Sequence, residues 1–451
     1  MGEPAVANAE MSNNGGGPDR RSVVVGRQAQ VASAEQLALL PHVAKLLLEN
    51  GQSTEKIVTA SGRLADAMGF RATVFPHWGE LTIRIDDASV PRYEIVGCAP
   101  LGVDMRKVAA ATDVIDEVCD GRLDAETARS ALDTIARFPP VSLTRFALLA
   151  AAGAAALGVI FGAAHLLSLA LIAVSAGAGA CLRRWLSGMG HNPFVQPLCA
   201  ALLAGTIGAV AARLQFSSSL RLVAVCPCMI LVPGPHLLNG TIDLARARIG
   251  LGASRLAYAG LIILMICTGL LSGLWLGGVG LPVSAPSQPV PFGYDVIAAG
   301  VAVAAYGTFF AMPWRMLPIP IAIGMFAHAS RWAMISFAGV GAATGALAAC
   351  LVVGIIVTPL ADRMRLPFAA FAFASVVSLI PGVFLFRMAG GLVDLLSLGN
   401  KASFDVLRTT IADGTTAILV MLAMAFGLIV PKMCIEFLYP DLAKSGSGGR
   451  R

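Results

Sequence analysis

From about residue 139 onward, polar positions thin to isolated charges separated by long apolar runs, whereas between 35 and 137 apolar residues recur at helix and strand spacing. In the second region the charge-free runs extend from Arg145 to Arg183, Arg184 to Arg213, Arg221 to Asp243, Arg255 to Asp295, Asp295 to Arg315, Arg331 to Asp362, Arg365 to Arg387 and Asp413 to Lys432. A crossing helix needs about 20 apolar residues, and the first run is long enough for two, joined near Gly162 and His165. The pattern predicts ten spans, at roughly 144–161, 164–182, 194–212, 219–239, 254–279, 293–311, 316–334, 338–360, 367–388 and 409–430.

The earlier region reads differently. "AEQLALLPHVAKLLLENG" and "STEKIVTASGRLADAMG" have helical apolar spacing and stop at Gly51 and Gly69. "RATVFPHWGELTIRIDD" alternates as a hairpin, "RYEIVG" continues it as a third strand, and two amphipathic helices follow. The division expected is a polar, Gly-rich, disordered tail at 1–34, whose composition is not that of a packed core, a cytoplasmic α+β domain at 35–138, five-helix membrane repeats at 139–282 and 283–435, and a tail at 436–451.

Composition sharpens that split. Hydrophobic residues make up 56% of the chain and charged residues 13%, with a mean hydropathy of +0.75, outside the range of soluble domains. Residues 1–145 carry 34 of the 60 charged side chains. No charged segment followed by a short apolar run and a cleavage site opens the chain, so no cleavable signal peptide is expected. Cys226 and Cys228, as "CPC", lack companion ligands at metal spacing and read as buried packing.

The apolar region also repeats. "SLIPGVFLFRMAGGLVD" at 378–394 echoes "ILVPGPHLLNGTID" at 230–243, and their Pro-Gly pairs, starting at Pro233 and Pro381, lie 148 residues apart. The same offset relates the first span to the sixth, and "RRW" at the end of the second to "SRW" at the end of the seventh within one residue. Five spans per half is an odd number, so the second copy enters from the opposite side, an inverted 5+5 repeat. The seam is "GLPVSAPSQPVPFG" at 280–293. With the α+β domain cytoplasmic, the inner side collects Arg183, Arg184, Arg246, Arg248, Arg255, Arg315, Arg363, Arg365 and the basic tail, and the outer side fewer basic residues. The positive-inside bias therefore places both termini in the cytoplasm and the chain in the inner (plasma) membrane.

A proline within a spanning helix removes a backbone donor and clashes with the preceding turn, which at membrane depth is tolerated only where protein or a watery cavity meets the freed groups. Two such breaks at matched positions would face each other across a pseudo-twofold axis and present helix ends to a zwitterion. The predicted substrate-binding residues are Pro233, Gly234, Asn239, Pro381, Gly382 and Arg387. Asp243, Asp394 and Asp413 are the proton-coupling candidates, because carboxyls inside a membrane are expensive and tend to be functional. A cytoplasmic interface aspartate is the competing reading of Asp243. His236 and His328 could carry protons or sit as satisfied core histidines.

No catalytic residue, metal site, cofactor or nucleic-acid partner is predicted: HExxH, GxSxG, P-loop and dinucleotide fingerprints are all missing. The expected partners are a small amino-acid substrate, protons and membrane lipid, with a second copy of the chain left open. Two alternatives stand beside a small amino-acid transporter. One is a carrier of another small solute such as an organic acid, the other a membrane-anchored hydrolase working through the N-terminal domain.

The stretches "LLLENGQSTEKIVTASGRLADAMGF", "LVPGPHLLNGTIDLARARIGLGASRLAYA" and "SLIPGVFLFRMAGGL" together resemble the threonine/serine exporter family, over about residues 35–435. The resemblance implies a cytoplasmic N-terminal domain ahead of ten membrane helices, and export of threonine, serine or similar small amino acids driven by the proton-motive force. Pro233, Gly234, Asn239 and Asp243 match the motif of the first half, and Pro381 and Gly382 that of the second.

Overall fold

The computed structural model describes residues 34–86, 91–163, 165–190, 192–214, 220–279 and 290–438. The expected N-terminal tail apart from Ala34, most of the seam and nearly all of the C-terminal tail lie outside those residues.

The N-terminal domain has the element order read from the sequence: α1 (Ala34–Glu49), α2 (Thr54–Ala67), β1 (Arg71–Pro76), β2 (Glu80–Asp86), β3 (Arg92–Gly97), α3 (Met105–Cys119) and α4 (Ala125–Ala136). The three strands form one antiparallel meander in sequence order, with Val74 opposite Ile83 and Ile83 opposite Glu94. The alternation in β2 turns Leu81, Ile83 and Ile85 inward, against Leu39, Leu40, Leu47, Ile57, Leu64 and Ile115 of the helices. Asp104 and Asp124 cap α3 and α4 by accepting from the amides of Lys107 and Thr127.

The rest of the chain is helical: α5 (Leu143–Ile160), α6 (Leu166–Gly188), α7 (Val195–Arg213), α8 (Leu220–Met229), α9 (Gly234–Ala245) and α10 (Ile249–Leu276), then α11 (Phe292–Phe309), α12 (Pro318–Ala338), α13 (Ala342–Arg363), α14 (Phe368–Val376), α15 (Gly382–Leu398) and α16 (Phe404–Leu438). Among the described residues, eight helices are long and apolar enough to cross a membrane, and the bent pair α8–α9 makes a ninth. Their outer faces expose large apolar side chains such as Leu264, Ile297, Ile355 and Leu422, as expected of surfaces that meet lipid.

Three of the ten expected spans come out differently. The fourth (219–239) and ninth (367–388) are not continuous. Pro233 and Pro381 end one helix, and a new one starts at the following glycine and runs on to Ala245 or Leu398. The seventh exists as α12, but His328 and Arg331 leave it short of the apolar character of the others.

Helices α11–α16 recapitulate α5–α10 in order and in neighbours. In the first set α5 lies on α6, α7 on α10, and α8 against α6 and α7; in the second α11 lies on α12, α13 on α16, and α14 against α12 and α13, while α5 and α11 join the two sets. The tightest pair in each set is held by glycine. A Cβ on Gly273 would fall 2.4 Å from the carbonyl oxygen of Leu202, and one on Gly427 2.5 Å from Cβ of Cys350. Small residues permit such backbone approach, which is how helices associate where lipid removes the hydrophobic drive.

Candidate functional site

The first break begins where α8 ends at Met229. The chain turns through Ile230–Pro233 and restarts as α9, with the axes bent by 54°. Pro233 and Pro235 have no amide hydrogen, and the amides that remain are met locally: Gly234 donates to the Val232 carbonyl at 2.9 Å, and His236 and Leu237 donate to Pro233 at 3.1 and 3.3 Å. The Met229 carbonyl, whose helical donor would be the amide Pro233 lacks, accepts instead from the Val232 amide at 3.3 Å and from the buried Tyr306 hydroxyl of α11 at 2.5 Å. The turn itself and the other helix set thus share in satisfying the group freed by the break, which answers the cost of a broken helix at membrane depth.

At the second break α14 passes through a single 3-10 turn, Val377–Leu379, before Pro381 and the start of α15. Leu385 donates to the Pro381 carbonyl at 3.2 Å. Among the described residues, no backbone group accepts from the amides of Gly382, Val383 or Phe384, the donors every helix start leaves open.

The two breaks touch reciprocally. A Cβ on Gly234 would sit 1.8 Å from the ring of Phe373 in α14, and one on Gly382 2.8 Å from Met229 at the end of α8. Beside this contact lies a cavity of about 180 Å³ lined by Gly234 and Thr241 of α9, Phe373 of α14, Pro381 and Leu385 of α15, and Met421 of α16, among others. Its wall is almost wholly apolar, with Thr241 the one polar side chain.

The predicted polar residues lie outside that wall. Asn239 faces the N-terminal domain, its Nδ2 donating to the Gly51 carbonyl at 3.2 Å. Asp243 is buried at the same interface, with Oδ2 3.4 Å from Arg255 Nε and Oδ1 3.7 Å from Arg248 Nη1. Arg387 and Asp413 find each other, Nε to Oδ2 at 3.0 Å, and Asp394 sits half-buried further along α15. His236 packs edge-on against Tyr258 with ring centres 5.1 Å apart. His328 is buried between Asp295, 2.9 Å from Nε2, and Ser378, 3.1 Å from Nδ1. Sequence reasoning passed over Tyr306, Arg255, Asp295 and Ser378. Asp295 alone left a signal, as one of the few acids in the apolar region.

The N-terminal domain docks on both sets of helices. Glu55 pairs with Arg246 and Arg248 in the turn between α9 and α10, and Arg246 also holds Glu436 at the end of α16. Lys56 reaches Asp362 at 2.9 Å, Arg365 bridges Asp113 and Asp116, and the Met105 amide donates to the Phe310 carbonyl at 2.9 Å. Ala247, Ala311 and Arg365, all with positive φ, stand in or beside these docking turns, a conformation that non-glycine residues adopt only when their surroundings hold them there. Burial pushes the Glu55 carboxyl up, but hydrogen bonds and charge from Arg248 and Arg246 outweigh it and hold it below the usual range.

The two motif-bearing stretches, 50–56 and 233–248, therefore meet at one interface. Comparison with known families agrees with this layout: one threonine/serine exporter model matches residues 38–277, the N-terminal domain and first helix set, and a second matches 295–434, the second set. No curated protein and no solved structure matches the chain. Between them the two family models leave only the termini and the seam uncovered, and the chain is a multi-pass membrane protein that belongs to the threonine/serine exporter family.

Proposed function

We propose that this protein is a secondary active transporter that exports threonine, serine or similar small amino acids by proton antiport, with the solute held between the two Pro-Gly breaks. The observation that carries this reading is a cavity lined by both breaks. It is smaller than the ~300–1,000 Å³ pockets that take drug-sized ligands, which suits a small solute. The start of α15 borders the cavity through Pro381 and Leu385. The open amides of Gly382–Phe384, at the positive end of α15, suit a carboxylate, and Thr241 is the nearest side-chain hydroxyl on the wall.

The ten-crossing 5+5 arrangement is part of the same proposal. It counts α8–α9 and α14–α15 as one broken crossing each and α12 as a full one. The recurrence of neighbours and the reciprocal contact of Gly234 and Gly382 support it. Orientation follows from charge: the basic turns around Arg246, Arg248 and Arg365 face the N-terminal domain, and the positive-inside rule puts that side in the cytoplasm of a cell with the chain in its inner membrane. Asp243, bound into the domain interface, is weaker as a proton carrier than Asp413, whose partner Arg387 lies on the helix that begins at the second break.

Loading inverted vesicles with labelled threonine tests the coupling. Uptake should follow an imposed proton gradient, compete with unlabelled serine and collapse on adding an uncoupler; flux indifferent to the uncoupler would remove the antiport, and competition by dicarboxylates in place of serine would remove the substrate class.

A further inference from the structure

We propose that Asp295, His328 and Ser378 form a proton relay built into the second half alone, with His328 the group that gains and loses the proton; this deepens, and rests on, the exporter reading above. The three side chains come from three separate elements, α11, α12 and the 3-10 turn that precedes Pro381. They form a continuous chain: Asp295 Oδ2 lies 2.9 Å from His328 Nε2, and His328 Nδ1 lies 3.1 Å from Ser378 Oγ. His328 and Ser378 are each 2% exposed and Asp295 9%. Close approach of the helices sets this geometry, because a Cβ on Gly324, one turn before His328, would stand 2.9 Å from the Ser375 carbonyl oxygen.

The repeat argues that the fold does not need this chain for packing. At the 148-residue offset the first half carries Ala147, Ala180 and Ile230 in place of Asp295, His328 and Ser378. In the first half Ala180 and Ile230 instead line a small cavity of about 20 Å³ beside Ser175 and Arg183, the counterpart of Arg331, so the fold forms there without a carboxylate, an imidazole and a hydroxyl at these three positions, whose burial in the second half carries a desolvation cost. Ser378 stands three residues before Pro381, so the far end of the chain is the break itself.

The chemistry gives two states. With His328 neutral and Asp295 ionised, Nε2–H donates to the carboxylate and Nδ1 accepts from the Ser378 hydroxyl. A proton arriving at Nδ1 makes that nitrogen a donor, so Ser378 Oγ must accept and its own hydrogen must turn to another acceptor beside the break. Loss of the proton reverses each step, and no other bond changes. Among the described residues, the other ionisable groups beside the cluster are Arg331, three residues beyond His328 on α12, which interacts electrostatically with Asp295, and Cys350 on α13. The segment Phe368–Val376 of α14 contributes no titratable side chain. Arg331 holds a fixed positive charge opposite Asp295, so the net charge of the cluster moves between neutral and +1 with the proton on His328.

The test uses the full-length protein in proteoliposomes, reading exchange of labelled threonine without a gradient and net flux driven by a pH gradient. The His328→Gln variant, which keeps hydrogen bonding but cannot take up a proton, should lose gradient-driven flux by at least about tenfold while exchange continues. The Ser378→Ala variant should keep coupled flux but shift its pH profile. Gradient-driven flux of wild-type size in His328→Gln overturns the relay. If that variant does not reach the membrane, a pH profile in Ser378→Ala identical to the wild type overturns it instead. A wild-type protein that moves neither threonine nor serine in either assay fails earlier, and removes the exporter reading together with the relay.

Discussion

The two helix sets share an order of elements and a Pro-Gly break, yet they use the break differently. In the first set the helix restarted at Gly234 ends in the N-terminal domain: Asn239 donates to Gly51, Asp243 is held by Arg248 and Arg255, and Arg246 and Arg248 hold Glu55. In the second set the helix restarted at Gly382 runs along α16, where Arg387 meets Asp413, and the turn before it carries Ser378 against His328 and Asp295. One break is anchored to a domain outside the membrane helices; the other is surrounded by buried ionisable groups. A repeat whose halves were interchangeable would give two equivalent sites. Here the two sets differ in what surrounds the break, the N-terminal domain in one and charged and polar side chains in the other, and the proposed exchange of a solute for a proton rests on that difference.

That comparison can be broken at several points. The largest effect is expected at the Arg387–Asp413 pair. Removing one partner of a mostly buried pair costs about 3–5 kcal/mol, so Arg387→Met should sharply lower the melting temperature in detergent. Adding Asp413→Leu should recover much of the loss, and a double-mutant cycle measures the coupling. Next comes the asymmetry between the two glycines. Gly234→Ala drives a methyl into the Phe373 ring and should cost about 1–3 kcal/mol and most of the threonine flux. Gly382→Ala meets the unbranched Met229 side chain, with Cγ and Cε both at 2.8 Å, which can turn aside more readily than a ring, and should be milder in both readouts; equal losses would mean that the reciprocal contact is not as described.

Tyr306→Phe keeps the tilted and edge-on ring contacts with Phe310 and Phe373 but takes the hydroxyl donor from the Met229 carbonyl, leaving it the Val232 amide alone. The expected cost is about 1–2 kcal/mol, with hydrogen exchange rising first around 226–232. The smallest effect concerns the docked domain. Glu55 is half-exposed, so its pairs with Arg246 and Arg248 are worth under about 1 kcal/mol. Its folded pKa lies below the ordinary carboxylate value, so the contribution is fully present above that ordinary value and fades as pH falls through the depressed one. Proteolysis near Pro139 and Pro140 should accelerate only in that acid range, and Glu55→Gln should remove the pH dependence.

Much of this architecture was legible in the sequence, for physical reasons. Runs between charges reported the long helices because lipid admits few charged side chains, and alternation in "ELTIRID" reported β2 because one face of the sheet is buried. Pro233 and Pro381 announced the breaks, since nothing else in a helix removes a donor and a turn at once. Partnership was not legible. Asn239 and Asp243 have the character of pore-lining residues by position, but the surface that claims them comes from Gly51 and from Arg255, and no local pattern links those segments. Ser378 looked like an ordinary small residue in "SLIPG", and only the folded chain brings it to a histidine 50 residues away. The break points likewise showed where helices stop, not how far the next ones continue.

The claim that a solute sits between the breaks is tested most directly by thiol labelling on the cavity wall. Thr241→Cys and Leu385→Cys, in the full chain with labelling read peptide by peptide, should each react more slowly when threonine or serine is present, while Leu264→Cys on the outer face of α10 should not respond. Protection at both wall positions, one from each half, is the result expected here; labelling of both at rates indifferent to either amino acid would contradict a site at the Pro-Gly breaks.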